Sequence, residues 1–220
     1  MKIHPITSRE LVLAEGALFL AILLQIAVGV LGPGSFQGPH YIIIAAEIAL
    51  ALIVGFMSGR RHLGKGALHR PLAFLLLALL SIANIVSFII IAGMLIATQT
   101  HFTGIELLVS ALAIFVTNII VFAFWYWEID SPGLSGTNWS KHRLDFLFTQ
   151  QEPQHDEFKD WQPGFADYLY LSLTNAINFA PADAKPLTIK AKALMGVQAM
   201  LSVLTLALVL ARSVSILGQA

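Results

Sequence analysis

The chain of 220 residues contains no cysteine and few charged residues. Without cysteine, disulfide bonds, thiolate metal ligands and cysteine nucleophiles are all excluded. Charged residues make up 12% of the chain, below the roughly 25% that is typical of soluble domains, and 57% of residues are hydrophobic. So few charges cannot cover a water-exposed surface, whereas lipid removes the need for them. The composition therefore predicts an integral membrane protein whose main partner is the lipid bilayer.

Several classes of function find no support in the sequence. The 13 basic and 13 acidic residues balance, so no global positive field favours nucleic acid. The chain has no G-x-S-x-G, Walker or glycine-rich dinucleotide motif, and its seven histidines lack the spacing of metal ligands. We therefore expect no enzyme activity, no cofactor, no metal site and no nucleic-acid partner.

Five apolar stretches are long enough to cross roughly 30 Å of hydrocarbon as helices. They are Leu11–Leu31, Tyr41–Met57, Leu72–Ala97, Ile105–Trp127 and Ile189–Ala211. We predict an all-α integral membrane bundle with about five transmembrane helices. It divides into a four-helix part (1–127), a polar loop (128–163) and a C-terminal part (164–220).

The distribution of basic residues predicts the orientation. The connection Arg60–Arg70 contains Arg60, Arg61, Lys65 and Arg70, whereas Gly32–His40 and Thr98–Gly104 contain no lysine or arginine. By the positive-inside rule, the N-terminus, Arg60–Arg70 and the long segment Glu128–Thr188 lie on the cytoplasmic side.

The segment Phe165–Phe179 is amphipathic and too short to span the membrane. It fits either a re-entrant half-helix or a helix lying in the interface. A turn at 178–183 and Pro186-Leu187-Thr188 then lead into the last apolar stretch. A short helix, a turn and a full helix, in this order, make up a pore loop.

This C-terminal part resembles the pore region of two-transmembrane potassium channels, which reads roughly L-Y-F-S-F…T-V-G-Y-G-D-x-x-P-L-T. The matching residues are Tyr170, Ser172, Asp183, Pro186, Leu187 and Thr188. The resemblance implies an ion channel-like protein that assembles as a homo-oligomer, with four subunits around a central pore.

The chain as a whole resembles a family of uncharacterised bacterial membrane proteins related to DUF1345. The residues that carry this resemblance are Phe124–Asp130, Asp145–Phe148, Tyr168-Leu-Tyr170, Thr174-Asn175, Pro186–Thr188 and Ala191-Lys192. The resemblance implies a multi-pass protein of the bacterial cytoplasmic membrane and carries no known activity.

The filter positions depart from the potassium-channel pattern. The pore-like set comprises Thr174, Asn175, Asn178, Phe179, Ala180, Pro181, Ala182 and Asp183. A filter of backbone carbonyls needs glycines with positive φ; alanine stands at both positions, and Pro181 fixes φ near −65°. Any selectivity is then expected from side chains such as Asn175, Asn178 and Asp183, or from a constriction at Phe179. The side of entry also differs, because potassium-channel pore loops enter from outside.

In the last apolar stretch, Gln198, Ser202 and Thr205 are spaced i, i+4 and i+7 and share one helix face. We interpret them as a pore-lining stripe; the alternative is ordinary interhelical hydrogen bonding.

Glu15 and Glu47 lie several residues inside apolar stretches. A carboxylate costs about 2.5–3.5 kcal/mol there, so both are expected to face the bundle interior. The functional interpretation is a proton or cation relay; the alternative is a structural hydrogen bond to Gln25, Asn84 or Asn118. Phe124–Trp127, followed by Glu128 and Asp130, is typical of an aromatic belt at the membrane interface.

Three hypotheses on function follow. The first is a channel-like protein with a degenerate pore module and an unknown permeant ion. The second is a non-conducting membrane scaffold or sensor. The third is a transporter of protons or small solutes that uses Glu15 or Glu47, although no inverted repeat is present to support it.

Overall fold

The computed structural model describes residues 8–31, 45–49, 51–53, 69–96, 104–130, 144–152, 161–178 and 183–217. Its five long or medium helices are α1 (Ser8–Leu31), α2 (His69–Ile96), α3 (Gly104–Asp130), α4 (Phe165–Asn178) and α5 (Ile189–Leu217). Residues 45–49 and 51–53 are also helical. Two strands of three residues, β1 (Phe146–Phe148) and β2 (Ala184–Pro186), complete the fold. The architecture is therefore helical, as the sequence predicts.

Within the described residues, four helices are long and apolar enough to cross a membrane. Their spanning segments are Arg9–Val30, Pro71–Met94, Leu108–Asp130 and Ile189–Ala211. They correspond to the first, third, fourth and fifth stretches that the sequence predicts, and they make the chain a membrane protein. Much of the predicted stretch Tyr41–Met57 lies outside the described residues, so a fifth span stays a prediction.

The directions of the helices follow from contacts at one end of the bundle. Glu10 of α1 contacts the residue directly before α4. The ring of Phe165, at the start of α4, lies 4.6 Å from that of Phe124 near the end of α3. Phe74, early in α2, lies 5.7 Å from Trp125. We call this the near end and the opposite one the far end; α1 and α2 run away from the near end, and α3 runs towards it.

The central helix is α3, which α1, α2, α4 and α5 all contact. Its aromatic residues Phe124, Tyr126 and Trp127 are buried, and only Trp125 is half-buried. The interpretation of this stretch as an aromatic belt is therefore wrong. The rings pack inside the protein because α4 and β1 cover them, with the Tyr126 ring 5.2 Å from Phe146.

The two strands form an antiparallel ribbon at the near end, with Phe146 opposite Pro186 and Phe148 opposite Ala184. One strand belongs to the polar segment 128–163 and the other directly precedes α5. The ribbon places the start of α5 beside the end of α3, so α5 also runs away from the near end.

Candidate functional site

The helix α4 buries one face against the centre of the bundle. Tyr168, Ser172 and Asn175 lie on this face because they are spaced by four and three residues. The contacts of α4 progress along α3 in the reverse direction. Tyr168 contacts Asp130, Ser172 donates a hydrogen bond to the Ile119 carbonyl (2.6 Å), and Ala176 packs in a cluster with Ile119 and Phe115. Hence α4 runs antiparallel to α3, from the near end towards the middle of the bundle.

Four polar side chains meet where α3, α4 and α5 come together, and we call them the Gln198 cluster: Tyr126, Ser172, Asn175 and Gln198. Gln198 Oε1 accepts hydrogen bonds from the Tyr126 hydroxyl (2.5 Å) and from Asn175 Nδ2 (2.8 Å). Gln198 Nε2 donates to Ser172 Oγ (2.7 Å) and to the Ser172 carbonyl (3.0 Å). One glutamine amide therefore joins three helices, and both of its polar atoms have partners.

The polar stripe of α5 continues below this cluster. Asn118 Nδ2 donates to Ser202 Oγ (3.1 Å), and the Thr205 hydroxyl donates to the carbonyl of Leu201 (2.7 Å). Gln198 and Ser202 have no exposed surface and Thr205 is 4% exposed within this single chain. The stripe thus faces the chain's own helices, as in the hydrogen-bonding alternative, and does not line an axis between subunits as the pore interpretation requires.

The described residues of the predicted pore-like set lie in different surroundings. Thr174 and Asn175 are buried in the contacts of α4, with the Thr174 hydroxyl donating to the carbonyls of Tyr170 and Leu171. Asn178 is exposed at the end of α4, and Asp183 is half-buried at the start of the ribbon. Phe179, Ala180, Pro181 and Ala182 lie outside the described residues.

A second polar cluster lies at the near end, around Asp130. Its Oδ1 accepts hydrogen bonds from the backbone N–H groups of Asp145 (2.6 Å) and Phe146 (2.9 Å), and its Oδ2 accepts one from the Tyr168 hydroxyl (2.6 Å). Asp145 in turn accepts a hydrogen bond from the Thr188 hydroxyl, just before α5. One carboxylate thereby joins the end of α3 to the ribbon and to α4. We call this set the Asp130 cluster.

Three carboxyl groups surround the start of α4. Asp167 Oδ2 accepts a hydrogen bond from the Gly164 N–H (2.8 Å), and the Glu10 carboxyl contacts Gly164. Burial raises the pKa of Asp167, the hydrogen bond from Gly164 opposes this, and the negative charges of Glu10 and Asp183 raise the pKa further. The start of α4 is therefore a site of electrostatic repulsion at neutral pH.

The carboxyl groups of Glu15 and Glu47, both predicted inside the membrane, differ in their burial. Glu15 is exposed on α1, on the face of Val12 and Phe19, contrary to the expectation that it faces the interior. The buried face of α1 is instead formed by small and aliphatic residues such as Ala14 and Leu18. Glu47 is completely buried, as expected, but the described residues provide no hydrogen-bond partner for either of its oxygens.

Sequence reasoning missed the roles of Tyr126, Asp130, Asp145 and Ser172. Asp130 and Asp145 each stand at the polar boundary of a hydrophobic stretch, but nothing in the sequence shows that they lie close together. The described residues contain no group of three or more histidine, cysteine, aspartate or glutamate side chains that is arranged to hold a metal ion.

Comparison of the chain with protein-family models, with curated proteins and with solved structures finds no match. The resemblances to the DUF1345-related family and to potassium-channel pores therefore stay predictions from the residues. The geometry of α4 and its surroundings is therefore the basis for a proposal on function.

Proposed function

We propose that the chain is a channel-like protein of the bacterial cytoplasmic membrane in which α4 is a re-entrant half-helix. The ion path would run along the turn at 178–183, between α4 and β2. The observation that carries this proposal is that both ends of this segment are attached to the near end, while its middle reaches halfway along α3.

The depth of α4 supports a re-entrant arrangement. Its 14 residues extend over about 21 Å, less than the roughly 30 Å of hydrocarbon. Ala176 packs against Phe115 and Ile119, which lie about 16–22 Å from the end of α3 along the helix axis. The chain is back at the near end at Asp183, because the Thr149 N–H donates to the Asp183 carbonyl (2.9 Å).

The contacts of α4 also restrict where an ion would pass. The Gln198 cluster fills the space between α4 and α5, so the path cannot run along that face. Asn178 and Asp183 are the described residues of the predicted turn, and in this proposal their side chains take the place of the carbonyl ladder, for which the glycines are missing. We therefore propose selectivity by amide and carboxylate groups and not by a potassium-type filter.

A single hairpin cannot enclose a pore, so the proposal requires an oligomer, with four subunits as the potassium-channel resemblance implies. The outer face of α4 supplies an apolar surface for such contacts: Tyr170, Leu173 and Ile177 are all exposed there. In an oligomer, these residues would pack against a neighbouring copy and place the turns around one axis.

The second candidate is a non-conducting scaffold or sensor with the same fold. The completeness of the Gln198 cluster favours it, because a hydrogen-bonded seal between α4 and α5 is what a purely structural module needs. In this case, the half-helix would stabilise the bundle and no ion would pass.

Ion flux into liposomes, measured with the purified protein together with its oligomeric state in mild detergent, separates the two candidates. The channel proposal predicts an oligomer and a flux whose ion preference changes in Asn178→Ala and Asp183→Asn. Glu106→Gln is the control, because it removes an exposed carboxyl group in the first turn of α3, at the far end of the bundle. A monomer without cation or anion flux would refute the channel and favour the scaffold.

A further inference from the structure

Besides a small cluster between α3 and α4 (Phe115, Ile119 and Ala176), the apolar core of the bundle contains two clusters that both include residues of α1, α2 and α3. The larger cluster, in the near half, includes Ile22, Leu80 and Ile120; the smaller, towards the far end, includes Val28, Ile91 and Ile114. Buried polar residues lie between the two clusters on four helices, and we call them the polar layer: Gln25, Asn84, Ser87, Thr117, Asn118, Ser202 and Thr205. In the lipid-embedded part of a bundle, such a layer needs internal hydrogen-bond partners.

Some oxygen atoms of the polar layer have no hydrogen-bond partner among the described residues. Ser87 Oγ, Thr117 Oγ1 and Asn118 Oδ1 are buried without a hydrogen-bond partner. A hydroxyl inside a helix usually donates to the carbonyl four residues earlier. Ser81 and Thr205 do this at 2.7 Å each, whereas Ser87 and Thr117 do not. Unsatisfied buried oxygens of this kind call for water or an ion.

Glu47 is completely buried, and its two carboxyl oxygens also have no hydrogen-bond partner among the described residues. It lies one turn before Ala51, which packs against the larger apolar cluster, so the two residues share a face. Because α1 ends at the far end and α2 begins at the near end, the helical residues 45–49 and 51–53 lie on the return between them. Glu47 is therefore nearer to the far end than Ala51, in the direction of the polar layer.

We infer that the polar layer is a binding site for one alkali-metal cation, with Glu47 as its charged ligand. Carboxylate, amide and hydroxyl oxygens are hard ligands, which suit such ions. The described parts of α1, α2, α3 and α5 carry no Asp, Glu, Lys, Arg or His at this level, so Glu47 is the single charge of the layer. One monovalent cation neutralises it, whereas a divalent ion would leave a positive charge in hydrocarbon. This site does not depend on whether α4 conducts ions.

Two measurements on the purified protein test the site. The first is the melting temperature in sodium, lithium, potassium or choline chloride at equal ionic strength; bound cation raises it in proportion to the logarithm of concentration once the site is near saturation. The second is modification of Glu47 by dicyclohexylcarbodiimide, which attacks protonated carboxyl groups in apolar surroundings. We expect at least one alkali-metal cation, and not choline, to stabilise the protein and to protect Glu47.

Variants assign these effects to the layer. Glu47→Gln should abolish both cation effects, and Ser87→Ala and Thr117→Val should weaken the apparent affinity by roughly five- to tenfold, the effect of one lost neutral ligand. Ser81→Ala is the control, because this hydroxyl lies outside the polar layer and already donates to the Leu77 carbonyl. Labelling that depends on pH but on no cation would show a proton site alone and overturn the proposal, as would cation effects that persist in Glu47→Gln.

Discussion

At the scale of single residues, the Gln198 side chain makes four hydrogen bonds to α3 and α4. Its amide joins α3 through Tyr126 and α4 through Ser172 and Asn175. Ser172 and Asn175 keep other partners if Gln198 is lost, namely the carbonyls of Ile119 and Met195. The Tyr126 hydroxyl would lose its acceptor and keep only the longer hydrogen bond that it accepts from Asn175 Nδ2 (3.3 Å). The cluster therefore combines one residue that is essential with others that are partly replaceable.

Gln198→Leu is expected to lower the free energy of unfolding by about 2 kcal/mol, because it leaves buried polar groups of three helices without their common partner. Tyr126→Phe removes a single hydroxyl, and Asn175 still bonds Gln198, so a loss below about 1 kcal/mol is expected. Denaturation in detergent measures both, with Val197→Leu on the exposed face as control. An equal loss in the two variants would contradict the central role of Gln198.

Asp130 has a corresponding role at the near end. Asp130→Ala removes the acceptor of three hydrogen bonds, whereas Asp130→Asn keeps one oxygen and Tyr168→Phe removes one bond only. We expect the loss of stability to decrease in that order, with Asp130→Ala costing about 3 kcal/mol. Limited proteolysis of the segment between α3 and α4 should accelerate in the same order. If Tyr168→Phe were as damaging as Asp130→Ala, the ribbon contacts would contribute little.

The sequence predicts which of these residues share a face, but not what the face contacts. The spacing of Gln198, Ser202 and Thr205 gives one stripe, and a stripe of this kind is equally stable against a pore or a neighbouring helix. Glu15 and Glu47 look alike in sequence, yet one is exposed and the other buried. The difference depends on which side of each helix packs, which weakly amphipathic apolar stretches do not encode.

At the scale of elements, the short helix is the best-predicted feature of the C-terminal part. The sequence predicts Phe165–Phe179, and α4 extends over Phe165–Asn178. Its polar residues on one face, within an otherwise apolar segment, made it recognisable. The strands were not predictable, because each has three residues and they pair across α4. Short ribbons of this kind depend on tertiary contacts such as those of Asp130.

The start of α4 should make stability depend on pH. Burial raises the pKa of Asp167 above its ordinary value of 3.8, and Glu10 and Asp183 add to the shift. Because folding raises this pKa, protonated Asp167 contributes to the free energy of unfolding at pH values below its unfolded-state pKa. The contribution is lost as the pH rises through the pKa of the folded state. Asp167→Asn keeps an oxygen for the Gly164 N–H but cannot ionise.

The variant Asp167→Asn should therefore be more stable than the parent at neutral pH, and its melting temperature should decrease less as the pH rises above 3.8, the ordinary pKa of Asp167. Glu106→Gln, which changes an exposed carboxyl group in the first turn of α3, is the control. A pH profile of Asp167→Asn that is identical to that of the parent would show that the repulsion around Gly164 has no effect on folding.

At the scale of the whole molecule, hydrophobicity predicts the four described spans well, because lipid requires long apolar helices whatever their packing. The arrangement within the bundle is less predictable. The aromatic stretch Phe124–Trp127 has the composition of an interfacial belt, yet α4 and the ribbon cover it. The rings pack against Phe165 of α4 and Phe146 of β1, and composition does not report such tertiary contacts.

The structure adds an argument on how the molecule is oriented in the membrane. Five of the six lysines and arginines within the described residues lie at the near end: Arg9, Arg70, Lys185, Lys190 and Lys192. The sixth, Arg212, lies towards the far end. The positive-inside rule then predicts that the near end, with α4 and the ribbon, faces the cytoplasm. The basic residues of the connection Arg60–Arg70, most of which lies outside the described residues, predict the same orientation.

Because the chain has no cysteine, single-cysteine variants can test this orientation without background labelling. Lys185→Cys, at an exposed position of β2, and Ser58→Cys should react with a membrane-impermeant thiol reagent in inverted vesicles and stay protected in intact cells. Ser35→Cys, in the connection without basic residues, should show the reverse. Ser35 and Ser58 lie outside the described residues, so Lys185 connects the assay to the structure. Labelling of Lys185→Cys from outside would show that the molecule has the opposite orientation. The start of α4 would then lie on the outer side, from which potassium-channel pore loops enter.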